Sequence, residues 1–234
     1  MDGHRVFETQ DGTRSLFSER FGVSYHSKYG AWQETQHVFI EAGLRYRAAV
    51  PHPTPLAVLD IGYGTGLNAI ATLLFAVKRA LDIDYTALEA YPVPTATLRT
   101  LDYPGALEFT AEDSALYSRL QGIPWPGTAQ LGAAGPRLTP KLTVSKRLCR
   151  FEELADEAAF DVVYYDAFAP EAQPELWTPE QFARVYRALR PGGLLVTYCA
   201  KGQVKRDLRS VGFAVERLKG PPGKREMTRA TRTD

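Results

Sequence analysis

Apolar residues along this chain fall into two rhythms. Residues 56–60, 83–88, 160–165 and 194–199 are short runs that are apolar almost throughout, the pattern of strands buried on both faces of a sheet. Between them, residues 67–77, 179–189 and 203–211 carry apolar positions at helical spacing. A further helix follows residue 89, with Pro92 and Pro94 near its start, and residues 142–144 and 213–218 add a strand opening and a final strand. The turn Arg190-Pro191-Gly192-Gly193 stops the helix at 179–189. Strands alternating with helices predict a doubly wound, mostly parallel α/β sheet of Rossmann-like type.

The N-terminal part has a different texture. Short apolar runs at 5–9 and 15–17 flank the turn Asp11-Gly12, which predicts a β-hairpin. From Ala31 the apolar positions Trp32, Val38, Phe39 and Ala42 predict an amphipathic helix stopping at Gly43. The stretch P-H-P-T-P at 51–55 reads as a stiff linker. We therefore divide the chain into an extension, residues 1–50, packed on a core domain, residues 51–234. Within that domain, residues 121–141 are rich in Gly and Pro and are expected to form an excursion or lid.

Chemistry enters at the end of the first core strand. Residues 59–68 read L-D-I-G-Y-G-T-G-L-N: a strand ending on Asp60, glycines at 62, 64 and 66, then a helix start. Glycine permits a sharp turn and close approach of a ligand to the backbone, and the helix start offers unpaired N–H groups to an anion. In such sheets ligands sit outside the carboxyl ends of the strands, where strand order reverses. Three acids fall at those ends: Asp60, Glu89 and Asp166. Glu89 follows Gly66 by 23 residues, near the interval at which an acid accepts hydrogen bonds from a cofactor ribose. The strict alternation of glycines, in place of G-x-G-x-x-G, favours S-adenosylmethionine over a nicotinamide dinucleotide, and the Pro-Gly-Gly turn before a late strand fits the same class I methyltransferase fold. Candidate cofactor contacts are Asp60, Gly62, Tyr63, Gly64, Thr65, Gly66, Asn68, Glu89, Asp166 and Phe168. Asp166, beside Tyr164, Tyr165 and Phe168, is suited to hold an amine or take its proton. His26 and His37 read as packed or capping residues.

Composition changes this picture only locally. The net charge is +1, yet residues 201–234 hold ten Lys and Arg against four acids, a basic end on a slightly acidic body that suits docking of a polyanion. Two cysteines, Cys149 and Cys199, have no metal or disulfide spacing, and there is neither a signal-like apolar core nor an 18-residue apolar run. A cytoplasmic protein with no metal and no membrane partner is expected.

Several stretches are similar to a known family. Residues 25–39 (Y-H-S-K-Y-G-A-W-Q-E-T-Q-H-V-F), 59–68, 88–93 (L-E-A-Y-P-V), 165–177 (Y-D-A-F-A-P-E-A-Q-P-E-L-W) and 220–227 (G-P-P-G-K-R-E-M) resemble the MnmC-like methyltransferases, which modify the wobble uridine of tRNA. The resemblance implies S-adenosylmethionine-dependent N-methylation of 5-aminomethyl-(2-thio)uridine, giving 5-methylaminomethyl-(2-thio)uridine. It also implies the anticodon region of tRNA as partner and upstream enzymes that generate the aminomethyl group. By position, Gly62, Gly64 and Gly66 would line the cofactor and Glu89 would hold its ribose. Asp166 would face the reacting methyl and the substrate amine as catalytic residue, with Glu34, Lys224 and Arg225 around the substrate mouth. Trp32, Tyr63 and Phe168 are candidates to face the base.

Two departures from the family pattern carry expectations of their own. The chain ends seven residues after Met227 with no second glycine fingerprint, so the flavin-dependent oxidase activity of bifunctional members is expected to be absent. Where relatives place an acid near the adenine, this chain reads V-S-K-R-L-C-R-F, so contacts from Arg147 or Leu148 are unsupported and backbone groups would serve. The rival readings are a methyltransferase of small amines, a non-catalytic cofactor- or RNA-binding module, and, disfavoured by glycine spacing, a nicotinamide-dependent oxidoreductase.

Overall fold

The computed structural model describes residues 3–132 and 140–233. A three-stranded antiparallel sheet comes first, of β1 (His4–Glu8), β2 (Arg14–Ser18) and β3 (Val23–Ser24). The core sheet has eight strands: β4 (Leu56–Ile61), β5 (Ile83–Glu89), β6 (Gly127–Gln130), β7 (Leu142–Leu148), β8 (Phe160–Tyr165), β9 (Leu189–Thr197), β10 (Phe213–Lys219) and β11 (Glu226–Arg232). Their spatial order is β10-β11-β9-β8-β4-β5-β7-β6. The central pairs β9–β8, β8–β4, β4–β5 and β5–β7 are parallel, and the outer pairings are antiparallel. From β4 the chain winds outward to β5 and β7, then returns to the other side of β4 with β8. The switch point therefore lies between β4 and β8, and it brings Asp60 and Asp166 to one crevice.

Both faces of the parallel strands are covered, as their continuous apolar character requires. Along β4 and β8, Val58, Val162 and Tyr164 enter a core shared with Leu16, Val38, Phe39, Ile40 and Leu44 of the N-terminal elements. Leu59, Ile61, Val163 and Tyr165 enter the opposite core with Phe182, Val185 and Leu208. This is the period-two alternation of a strand, with both sides apolar.

Three expectations are corrected. The N-terminal helix does not stop at Gly43: it starts at Ala31–Thr35, continues as a π-helical segment, Gln36–Arg45, and ends at Tyr46–Ala48. Gly43 is there for close approach, since a Cβ would meet Val196 Cγ2 at 2.9 Å. After β5 there are three short helices, Thr95–Arg99, Tyr103–Ala106 and Ala111–Gly122, separated by caps at Asp102 and Thr110. The expected excursion resolves, among the described residues, into the end of the third of these helices and the edge strand β6. Residues 133–139 of that stretch lie outside the described residues. The strand at 213–218 is not the last, because β11 inserts antiparallel between β9 and β10. The basic end is thereby a structural strand pair, and five of its cations are ion-paired: Lys201 with Glu171, Lys205 and Arg217 with Glu226, Lys224 with Glu34, and Arg229 with Glu216.

The N-terminal helix is anchored to the sheet by a buried charge cluster. Asp161, fully buried in β8, accepts from Arg190 at 2.5 Å, from Arg47 at 3.4 Å and from the Ala57 backbone N–H at 2.9 Å. Removing this carboxylate strands the Arg47 guanidinium, which is itself buried. Asp161→Ala is expected to lower the unfolding free energy by about 3–5 kcal/mol in urea melts. A loss below about 1 kcal/mol would contradict this anchoring role.

Candidate functional site

The site starts from backbone geometry at the end of β4. Gly62, Gly64 and Gly66 have φ of 89°, 52° and 78°, left-handed conformations in which a side chain is strained. A Cβ on Gly62 would meet the Asp166 carbonyl oxygen at 2.9 Å, so the turn can pass the end of β8 only without one. The helix Leu67–Arg79 starts directly afterwards, with no side-chain cap on its first N–H groups. Above this turn lies a cleft open to solvent, about 1070 Å³ when the open solvent at its mouth is counted.

Of the residues expected at the cofactor, Gly62, Tyr63, Gly64, Asn68, Glu89, Asp166 and Phe168 line this cavity. Asp60, Thr65 and Gly66 lie beneath it and support the turn. Glu34 and Lys224 pair with each other beside Asp166, and Arg225 is exposed on the neighbouring turn. Among the aromatics, Phe168 lines the cavity, Tyr63 turns its ring edge-on to Trp125 at 5.1 Å, and Trp32 packs on the core instead.

The carboxylates are held differently. Glu89 accepts from the Gly64 N–H at 3.1 Å and from the Tyr91 N–H at 2.8 Å, one on each oxygen, leaving further lone pairs toward the cavity. Burial still raises its pKa, against those hydrogen bonds. Asp60 is fully buried, receives Tyr85 Oη at 2.5 Å on one oxygen, and has no hydrogen-bond partner on the other among the described residues. Burial pushes its pKa up to about 7. Asp166 accepts from Asn68 Nδ2 at 2.8 Å, and Asn68 is itself oriented by Thr35 Oγ1 donating to its Oδ1 at 2.9 Å. Burial, with the charges of Glu34 and Asp60 nearby, holds Asp166 well above the usual carboxylate range, and Lys224 opposes that only in part.

His26 is a half-buried, neutral member of this wall. Its Nε2 bonds Thr65 Oγ1 at 2.8 Å, Tyr103 Oη reaches the same oxygen at 2.8 Å, and burial pushes the imidazole pKa down to about 4. It faces the cavity while serving the packing role expected of it. His37 ties the helix to the opposite turn through the Lys219 carbonyl at 2.8 Å.

Sequence reasoning missed the outer walls. Phe21 and Tyr25, which flank β3 of the N-terminal sheet, pack on Phe168 at ring separations of 5.1 and 4.9 Å and line the cavity beside Tyr91. Arg150, Glu152 and Gln173 complete it. Arg147 is turned away into a two-bonded pair with Asp156, at 2.6 and 3.1 Å, so the acid on the β7 side is Glu152, beyond the stretch inspected for one. Its position five residues past Arg147 was readable; its direction into the cavity depends on the short helical turn Phe151–Glu153.

Comparison with known proteins gives the class of protein first. A family of S-adenosyl-L-methionine-dependent methyltransferases matches residues 114–233, just over half of the chain, and the chain belongs to that family. Its relatives are more particular. The bifunctional MnmC proteins, named for tRNA 5-methylaminomethyl-2-thiouridine biosynthesis, are 31% identical over 97% of this chain in Ectopseudomonas mendocina and 32% over 93% in Ralstonia nicotianae. The chain spans 35% and 33% of their lengths, about a third. Among solved structures, MnmC2 from Aquifex aeolicus superposes with a TM-score of 0.71 at 23% identity, covering 99% of this chain and 71% of that one. Spermidine synthase from Thermotoga maritima follows at 0.57 and 16% identity, covering 99% and 70%. The chain is thus an MnmC-like methyltransferase domain of class I fold, and S-adenosylmethionine is its cofactor.

The residues present fit that cofactor. The glycine turn leaves a backbone cradle that a Cβ would fill, Glu89 presents carboxylate oxygens at the end of β5, and the uncapped helix start can face a carboxylate. Among the described residues no cluster of His, Cys, Asp or Glu could hold a metal ion, and no helix is long and apolar enough to cross a membrane.

Asp60 supplies a test by linkage. A carboxyl with a raised folded pKa stabilises fully below its unfolded value near 4, and that contribution is lost as pH rises through about 7. Asp60→Asn is therefore expected to melt closer to, or above, wild type at about pH 8 than at about pH 5, read as the difference in Tm between variant and wild type. An offset that does not change with pH would contradict a raised pKa at this position.

Proposed function

We propose that this chain transfers a methyl group to the 5-aminomethyl group of a wobble uridine in tRNA, giving the 5-methylaminomethyl form, with or without 2-thiolation. The observation that carries the reading is Asp166: a half-buried carboxyl at the strand switch point, lining the cavity beside the glycine turn, in a chain similar along nearly its whole length to the MnmC proteins. In this reading Gly62 and Gly64 cradle the cofactor, Glu89 accepts from its ribose hydroxyls, and Glu152 and the backbone near Cys149 stand on the adenine side. S-adenosylmethionine, when bound, supplies an electrophilic methyl group on sulfur.

An aminomethyl group has an ordinary pKa of about 10 as a lysine-like amine, and only its neutral form can accept the methyl. Asp166 orients that nitrogen through the oxygen not taken by Asn68 and accepts the proton that the nitrogen must lose. Asn68 and Thr35 keep the carboxyl aimed, so most of the rate gain comes from alignment. The aromatic wall of Phe168, Tyr25 and Phe21 excludes water and offers faces to an extruded base. In this reading the exposed Lys219 and Arg225, on either side of the turn that carries Lys224, would meet the flanking phosphates. The aminomethyl group is then the product of other tRNA-modifying enzymes acting earlier, in the cytoplasm.

A second reading, methylation of a free small amine, draws on the acid pair Glu34 and Asp166. One experiment separates the two: incubation with labelled S-adenosylmethionine and either tRNA carrying 5-aminomethyl-uridine or free amines, followed by nucleoside mass analysis. The expected result is conversion of the tRNA nucleoside to its N-methyl form, reduced by about 10²–10⁴ in Asp166→Ala, the range of positioned acid–base catalysis. Label entering only free amines, or full activity in Asp166→Ala, would contradict the reading.

A further inference from the structure

A cluster beside Asp166 stands outside the lining of the cavity. Lys224 Nζ lies 2.5 Å from Glu34 Oε1 and 3.9 Å from the centre of the Tyr198 ring, an ammonium held between a carboxylate and an aromatic face. Both holders are themselves fixed. Glu34 is buried and uses its second oxygen to accept the Ser27 N–H at 3.1 Å, and Tyr198 donates its hydroxyl to the Ala167 carbonyl at 2.8 Å, one residue beyond Asp166. Glu34 adjoins Thr35, which bonds Asn68, which bonds Asp166, so the cluster and the candidate catalytic carboxyl share one hydrogen-bonded frame.

Glu34 and Asp166 bring two carboxyl groups to one ammonium, while burial holds Asp166 well above the usual carboxylate range and pushes the neighbouring His26 down to about 4. The Glu34 carboxylate is therefore already matched by Lys224, and an incoming cation takes the place of that ammonium rather than joining it. The present occupant is also chemically specific, because a lysine side chain ends in CH₂–NH₃⁺, the same group that an aminomethyl substituent presents. Lys224 can leave: its side chain is 32% exposed and sits on the turn at 220–225, on a flexible stem.

We propose that Glu34, Asp166 and the face of Tyr198 form an ammonium-binding subsite, filled by Lys224 in the free protein until an alkylamine displaces it. This rests on the reading that the substrate is an amine, and it adds what recognises that amine and what must move first. Lys224 is then an internal competitor of the substrate, where the family resemblance alone would make it a substrate contact. Truncating a contact weakens amine binding, whereas truncating a competitor strengthens it.

The test uses the full chain saturated with S-adenosylhomocysteine, and ethylammonium chloride as probe with potassium chloride as the ionic control, read by calorimetry. Lys224→Met is expected to bind ethylammonium at least about tenfold more tightly than wild type. Adding Glu34→Gln or Tyr198→Leu to that variant is expected to remove the gain. Unchanged or weaker binding by Lys224→Met would overturn the proposal, as would a gain that survives Glu34→Gln. A second measurement avoids variants: ethylammonium added to wild type should speed acetylation of Lys224, followed by peptide mass mapping, and binding without such a change would equally overturn it. Because the probe is a free amine, tighter binding in Lys224→Met with no tRNA methylation refutes the tRNA reading alone. Active tRNA methylation with no tightening refutes only the competitor role of Lys224.

Discussion

The structure is organised around a concentration of carboxyl groups that water cannot fully reach. The parallel strands β4, β5 and β8 end together, and each carries an acid at or within one residue of its end: Asp60, Glu89 and Asp166. With Glu34 from the N-terminal helix they make four acids in one region, three of them with pKa values raised by burial. Desolvation of a carboxylate is costly, and a fold tolerates it where hydrogen bonds or an incoming cation offset the cost. Glu89 has two backbone N–H groups, Asp60 has Tyr85, Asp166 has Asn68, and Glu34 has Lys224. These unequal arrangements suit different partners: hydroxyl donors at Glu89, an amine near Asp166 and Glu34.

Much of the remaining architecture serves that edge. The glycine turn passes within van der Waals distance of the Asp166 backbone, which excludes a side chain at Gly62, while the rings of Tyr25 and Tyr63 crowd Gly64 and Gly66. The π-helical segment, Gln36–Arg45, allows the helix bearing Glu34 and Thr35 to lie against Val196 and Tyr164 of the sheet, and the Asp161 cluster pins its far end. The N-terminal sheet brings Phe21 and Tyr25 across to Phe168, closing the cavity with aromatic faces. The extension is therefore part of the site's construction, sharing one core with the sheet it covers.

What could be read from sequence was what depends on neighbours along the chain. Five buried strands of the doubly wound sheet, the glycine turn, and the acids Glu89 and Asp166 follow from local patterns, because a strand, its last residue and the turn after it are contiguous. Gly43 misled because a glycine that ends a helix and one that lets a helix approach a strand look alike in sequence. Strand β11 was hidden for another reason: its buried Thr228 and Arg229 are polar, satisfied by Cys199 and Glu216, so no apolar alternation announces it. Phe21, Tyr25 and the Lys224–Glu34 pair join segments far apart in sequence, the last by 190 positions, and nothing local specifies such a meeting.

The division of labour among these carboxyls is the central claim, and it is open to one direct measurement. Cofactor affinity and kcat at saturating cofactor would be determined side by side for Glu89→Gln and Asp166→Asn. Glu89→Gln is expected to weaken cofactor binding by about tenfold or more, the scale of a lost charge-assisted hydrogen bond, with kcat within a few-fold of wild type. Asp166→Asn is expected to bind the cofactor nearly normally and to lose about 10²-fold or more in kcat. If both variants fall in the same parameter, or if their effects are exchanged, the strand-end acids do not divide cofactor from substrate, and the roles assigned to Glu89 and Asp166 are wrong.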